Sequence, residues 1–124
     1  MLNKIGGHYR CRFEWFGNIQ DLESSIKHLL EVASIALNHP LRPSILNNLG
    51  LSYQLRFERF GAMKDIDSAI EQQVKAAASI PLNSVYRSRI LMNLGNSYQH
   101  RFEWFENIQD LESGQLGKFI SATF

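Results

Sequence analysis

The chain repeats itself. Residues 102–113 (Phe102 to Ser113) match residues 13–24 at eleven of twelve positions, and Glu106 in place of Gly17 is the single difference. A more divergent copy lies between them, where Arg56-Phe57-Glu58-Arg59-Phe60-Gly61 matches Arg12 to Gly17. The offsets are 44 residues from the first copy to the second and 45 from the second to the third. Upstream, Leu46 to Gln54 aligns with Leu91 to Gln99, and more loosely with Leu2 to Arg10. Packing pressure can recreate an apolar period, but not a shared Asn-Ile-Gln-Asp-Leu-Glu-Ser string, so duplication is the better account. A period of this length marks stacked supersecondary units, none of which buries its apolar face alone.

Within each unit the apolar spacing is helical. Leu46, Leu49, Tyr53, Phe57 and Phe60 step by three or four residues, one stripe on a helix. The stripe recurs as Leu91, Leu94, Tyr98, Phe102, Phe105 and as Leu2, Ile5, Tyr9, Phe13, Phe16. This A helix spans about 43–60 in the second unit. Pro43 suits its first turn, where a missing N–H costs nothing. Gly17 and Gly61 follow the last aromatic, where a left-handed C-cap is wanted. Gly50 and Gly95, inside their helices, are expected to let an A helix touch the adjoining B helix, since an interior glycine costs roughly 1 kcal/mol against alanine. The Gly6-Gly7 pair predicts a weak first A helix.

A B helix follows each A helix after a tight turn. Asn18 with Asp21, and Asn107 with Asp110, resemble N-capping signals. The first B helix has an apolar face of Leu22, Ile26, Leu29, Leu30, Val32, Ala33 and Ala36; the second has Ile66, Ala69, Ile70, Val74, Ala77 and Ile80. Their exits carry Pro40 and Pro43, and Pro81. No stretch sustains period-2 alternation, so the expected class is all-α: αα-hairpins, repeated. The repeat domain covers 1–113, with units of about 1–42, 43–84 and 85–113. Residues 114–124 form a divergent tail in which Gly114 and Gly117 interrupt the expected last B helix. About two and a half repeats result, which predicts a piece of a longer array or a short product whose end diverged. The unfinished last repeat also offers a surface for self-association.

These residues resemble the tetratricopeptide repeat family, through Leu46, Leu49-Gly50, Tyr53, Ala69, Ala76 and Pro81 in order. The long unit with its Leu46-Asn47-Asn48-Leu49-Gly50 opening is similar to the kinesin-light-chain-like subclass. The Arg56-Phe57-Glu58-Arg59-Phe60-Gly61 block resembles long arrays in fungal proteins, often placed before a caspase-like CHAT peptidase domain. The resemblance covers about residues 2–113. It implies hairpins stacked as a short right-handed solenoid, with a concave groove lined by A helices that binds a peptide or helix.

With the core stripe facing inward, the groove candidates are Asn47, Asn48 and Gln54 on the second A helix, Asn93, Asn96 and Gln99 on the third, and Arg10 on the first. Leu51, Leu55, His100, Lys4 and Cys11 fall on the same groove-facing positions. An amide side chain both donates to and accepts from a peptide backbone. The resemblance implies that role for Asn48 and Asn93; the alternative is that they bond inter-repeat backbone or solvent. In the triplets Arg12-Phe13-Glu14, Arg56-Phe57-Glu58 and Arg101-Phe102-Glu103, recurrence favours architecture: the Phe in the core, the charges paired near the A–B turn. Trp15 and Trp104, replaced by Arg59 in the middle copy, are expected to be partly exposed.

Composition narrows the function. Thirteen Lys+Arg against twelve Asp+Glu leave a net charge of +1, without the basic excess of a nucleic-acid binder. One cysteine forms no internal disulfide, and four scattered His with it make no Cys–His zinc site. No signal-like or membrane-length apolar run occurs, which predicts a soluble, cytoplasmic chain with no membrane partner. His8 and Cys11 stand three apart on a predicted helix but lack a nucleophile turn, oxyanion donors or an orienting carboxylate. Asp65 and Asp67 fall on different helix faces and read as solvated charge. No catalytic residue, cofactor or metal is therefore expected. The function expected is a non-enzymatic protein-interaction scaffold. The alternatives are a helical-repeat RNA binder, which requires a basic concave stripe, and a regulatory segment of a CHAT-type peptidase.

Overall fold

The computed structural model describes residues 17–112, with side chains as far as 109. Four helices follow one another: α1 (Ile19–Ile35), α2 (Arg42–Phe60), α3 (Met63–Ser79) and α4 (Arg87–Glu112). No strand occurs among the described residues. The all-α expectation holds, with α1 and α3 as B helices and α2 and α4 as A helices. The first A helix (with His8, Arg10, Cys11 and Trp15) and the tail from Ser113 lie outside the described residues.

The local signals act as their chemistry requires. Asn18 caps α1, its Oδ1 accepting from the Gln20 N–H at 2.9 Å. Gly61 ends α2 at φ +73°, and its N–H donates to the Phe57 carbonyl at 2.7 Å. Gly17 adopts the same left-handed backbone at φ +70°. A side chain is disfavoured there, and that is why the sharp A-to-B turn carries glycine.

The third unit departs from the expectation at this point. Glu106 occupies the glycine position, and α4 runs through it to Glu112. Asn107 is therefore inside the helix and caps nothing. Glutamate is a good helix former and a poor left-handed residue, so the chain continues where its homologous copies turn. One consequence reaches the ion pairs. In every copy an Asp follows the Arg of the triplet by nine residues (Arg12 and Asp21, Arg56 and Asp65, Arg101 and Asp110). Across the α2–α3 turn that spacing brings the two groups together; along unbroken α4 it sets the two backbones about 13 Å apart.

Consecutive helices pack against one another, and α2 also touches α4. One apolar cluster joins α1 to α2, around Leu22, Ile26, Leu29, Ile45, Leu46 and Leu49, and reaches Ala76 and Ile90. A second joins α2 to α3 through Phe57, Ile66, Ala69 and Ile70. Leu46 and Leu49 are buried as the stripe predicts, while Tyr53 is half-buried. On α3 the inward face includes Gln73 and Ala76, and Val74, expected inside, is exposed.

Polar groups tie these clusters together. Arg56 donates from Nε and Nη2 to Asp65 at 3.0 and 2.8 Å, and from Nη1 to Glu23 at 3.0 Å. Its hydrogen bond to Asp65 pushes the guanidinium further above its usual value, against the opposing effect of burial. Asp65 is thus buried and paired rather than solvated. Asp67 is the exposed member of that couple and meets Arg101 at 3.2 Å. Burial also raises the phenol of Tyr53, over which the Arg56 guanidinium lies 5.5 Å from the ring centre. Ser25 and Ser52 share a buried hydrogen bond of 2.8 Å between α1 and α2.

Candidate functional site

A cavity of about 470 Å³ lies where the first turns of α2 and α4 meet the two connecting segments that precede them. Pro40 and Leu41, from the α1–α2 connection, form one edge. Ile80, Pro81 and Tyr86, from the α3–α4 connection, form the other. Between them α2 contributes Asn47, Asn48 and Leu51, and α4 contributes Arg89 and Ile90. The proline-marked exits from α1 and α3 build both edges, because proline cannot continue a helix and holds its neighbours extended. Arg87 secures one edge, donating from Nη1 to the Ala77 carbonyl at 2.9 Å near the end of α3.

The lining is apolar with a few convergent polar groups, the usual make-up of a ligand site. Leu51, Ile90, Pro43 and Ile80 offer a surface for an aliphatic or aromatic side chain. Asn47 accepts from Asn93 Nδ2 at 3.3 Å, which fixes its amide between the two A helices. None of the lining residues is acidic, and Arg89 is the one cation among them. A group entering this cavity therefore meets amides, an exposed guanidinium and apolar walls, an arrangement suited to a short peptide segment carrying a carboxylate beside an apolar side chain.

The structure sorts the seven groove residues expected from the sequence. Asn47 and Asn48 line the cavity, and Asn93 supports it through Asn47. Gln54 does not: it is buried, its Oε1 accepting from Gln73 Nε2 at 3.4 Å and from Ser97 Oγ at 3.3 Å. Ser97 Oγ also donates to Gln73 Oε1 at 2.7 Å, so these side chains form a polar link among α2, α3 and α4. Asn96 and Gln99 are exposed on α4, away from the cavity lining, and Gln99 Nε2 donates to Glu103 at 3.1 Å. Arg10 is outside the described residues. Sequence reasoning missed the two connections and Tyr86 because its groove was built from A-helix faces alone, and it missed Arg89 because its groove positions on the third A helix began only at Asn93. Pro40 and Pro81, each within a few residues of the end of a B helix, were the available signal.

Outside the cavity lining, His100 Nε2 on α4 meets Glu58 Oε1 on α2 at 3.0 Å, and the His100 ring stands 6.1 Å from that of Phe57. Among the described residues no group of three His, Cys, Asp or Glu could hold a metal ion. No described helix is long and apolar enough to cross a membrane. No family model, curated protein or solved structure matches the chain.

Proposed function

We propose that the chain is a tetratricopeptide-type, non-enzymatic interaction module that holds a peptide in the cavity between α2 and α4. The observation that carries this reading is the composition of that cavity: Asn47 and Asn48 beside Leu51 and Ile90, one cation, and no carboxylate. Asparagine amides can pair with the backbone of an extended peptide, the apolar wall takes one side chain, and Arg89 attracts an acidic one. The hairpin order, the recurrent A-helix residues and the glycine-capped turns support stacking of the tetratricopeptide kind. RNA binding has less support, since a strand of phosphates calls for a basic stripe and the cavity offers a single arginine.

A random peptide library displayed on phage and selected on the full chain tests the reading. Enriched peptides are expected to place an acidic residue next to an apolar one. Leu51→Glu introduces a carboxylate into the half-buried wall and should weaken a selected peptide at least tenfold, about 1.4 kcal/mol. Absence of enrichment, or peptides indifferent to Leu51→Glu, would remove the cavity as the binding site.

A further inference from the structure

The outward side of α4 carries the residues that α2 uses to hold α3. Gly50, Tyr53, Arg56 and Phe57 of α2 correspond to Gly95, Tyr98, Arg101 and Phe102 of α4. On α2 these groups are engaged. A Cβ at Gly50 would stand 2.6 Å from Gln73 Cγ, so α3 approaches closer there than any side chain permits. Phe57 is 7% exposed against Ile66, Ala69 and Ile70, and Arg56 receives Asp65. On α4 the same set faces outward. Phe102 is 62% exposed and Tyr98 44%, and a Cβ at Gly95 would meet nothing within 4 Å among the described residues. Arg101 pairs with Asp67, the counterpart of Glu23, while Asp110, the counterpart of Asp65, stands nine residues further along the same unbroken helix.

We propose that this face of α4 is a docking surface for a helix of the α3 type supplied in trans by a second polypeptide. The pairing already formed inside the molecule specifies the occupant. It is an amphipathic helix with an aspartate in its first turn to meet Arg101, as Asp65 meets Arg56. Apolar and small residues follow to cover Tyr98 and Phe102, as Ile66, Ala69 and Ile70 cover Phe57. A side chain like Gln73 then lies over Gly95, where the absent Cβ leaves room for close approach. Arg101 supplies the charge complementarity. Its cation already lies 5.2 Å from the centre of the Tyr98 ring, oriented as Arg56 is over Tyr53. A second copy of this chain does not present the pattern, because its own α3 turns these residues onto its own α2. Residues 114–124 do not carry it either: they contain no acidic residue, and Gly114 and Gly117 interrupt them.

The probe is a synthetic peptide of residues 61–81 titrated into the full chain, read by tryptophan fluorescence, since the peptide contains no tryptophan and Trp104 is half-buried on α4. Saturable one-to-one binding is expected. It should weaken at least tenfold in the Gly95→Leu protein, whose added side chain enters open space and leaves the fold intact by circular dichroism. It should weaken similarly when the peptide carries Asp65→Lys. No binding at millimolar peptide, or binding indifferent to Gly95→Leu, overturns the proposal. So does binding that appears only after residues 114–124 are deleted, which assigns the face to the chain's own tail. Dimers that Gly95→Leu dissociates would assign it to a second copy and overturn the proposal equally.

Discussion

Replacing Arg56 by alanine is expected to destabilise the protein by about 3 kcal/mol, whereas the same change at Arg101 should cost under about 1 kcal/mol. The residues are homologous and the difference lies in their partners. Asp65 is 5% exposed, and Arg56 gives it two hydrogen bonds. Removing the guanidinium leaves that carboxylate buried without its cation, the costly way to break an ion pair. The bond to Glu23 adds little, because Glu23 is half exposed to water. Among the described residues the carboxylate that Arg101 meets is the exposed Asp67, a pair screened by solvent. Urea unfolding of the two variants checks this, and equal losses would mean that Asp65 gains nothing from Arg56. Adding Asp65→Asn to Arg56→Ala should recover part of the loss, since the neutral amide removes the unpaired charge.

A second large effect is expected at Leu49, fully buried where α1 and α2 meet. Leu49→Ala removes most of a side chain from a site with no access to water and leaves a cavity, at about 3 kcal/mol. At its counterpart Leu94, half-buried beside the second cluster, the loss should be about 1 kcal/mol. For a domain of this size the first change lowers the melting temperature by roughly 10 °C. Comparable losses at the two leucines would mean that α4 is covered as fully as α2.

The contrast between copies also explains what could be read in advance. Helix identity followed from the stripe, and the ends of α2 from Pro43 and Gly61, because those residues act through their own backbone. The interior polar groups were less legible. Asp65 lies on the flank of an apolar stripe, where a solvated carboxylate and a buried one look alike. Its fate depends on Arg56, nine residues back across a turn, and the recurrence of that spacing in all three copies was the available clue. Gln54 and Gln73 were hidden for the same reason. Each satisfies the other and Ser97 across helices, a pairing that no periodicity on one helix reveals.

Glu106 teaches the opposite lesson. It is the single difference in an otherwise identical block of twelve, and identity on both sides predicted another turn. One residue outweighed the rest because the turn needs left-handed backbone at that point and the remaining eleven do not supply it. The outcome is a longer α4, a face like that of α2 without the same cover, and Asn107 in mid-helix.

That unequal use of one duplicated helix is the central claim, and a pair of glycine substitutions tests it most directly. Thermal unfolding of Gly50→Ala and Gly95→Ala should shift in opposite directions. At Gly50 the new methyl collides with buried Gln73, 3.1 Å or less from three of its atoms, and overpacking should outweigh the gain in helix propensity by about 1–2 kcal/mol. At Gly95 nothing stands within 4 Å among the described residues, and alanine should stabilise by about 1 kcal/mol. A lower melting temperature for both variants would show that α4 is packed as α2 is, and would contradict the account.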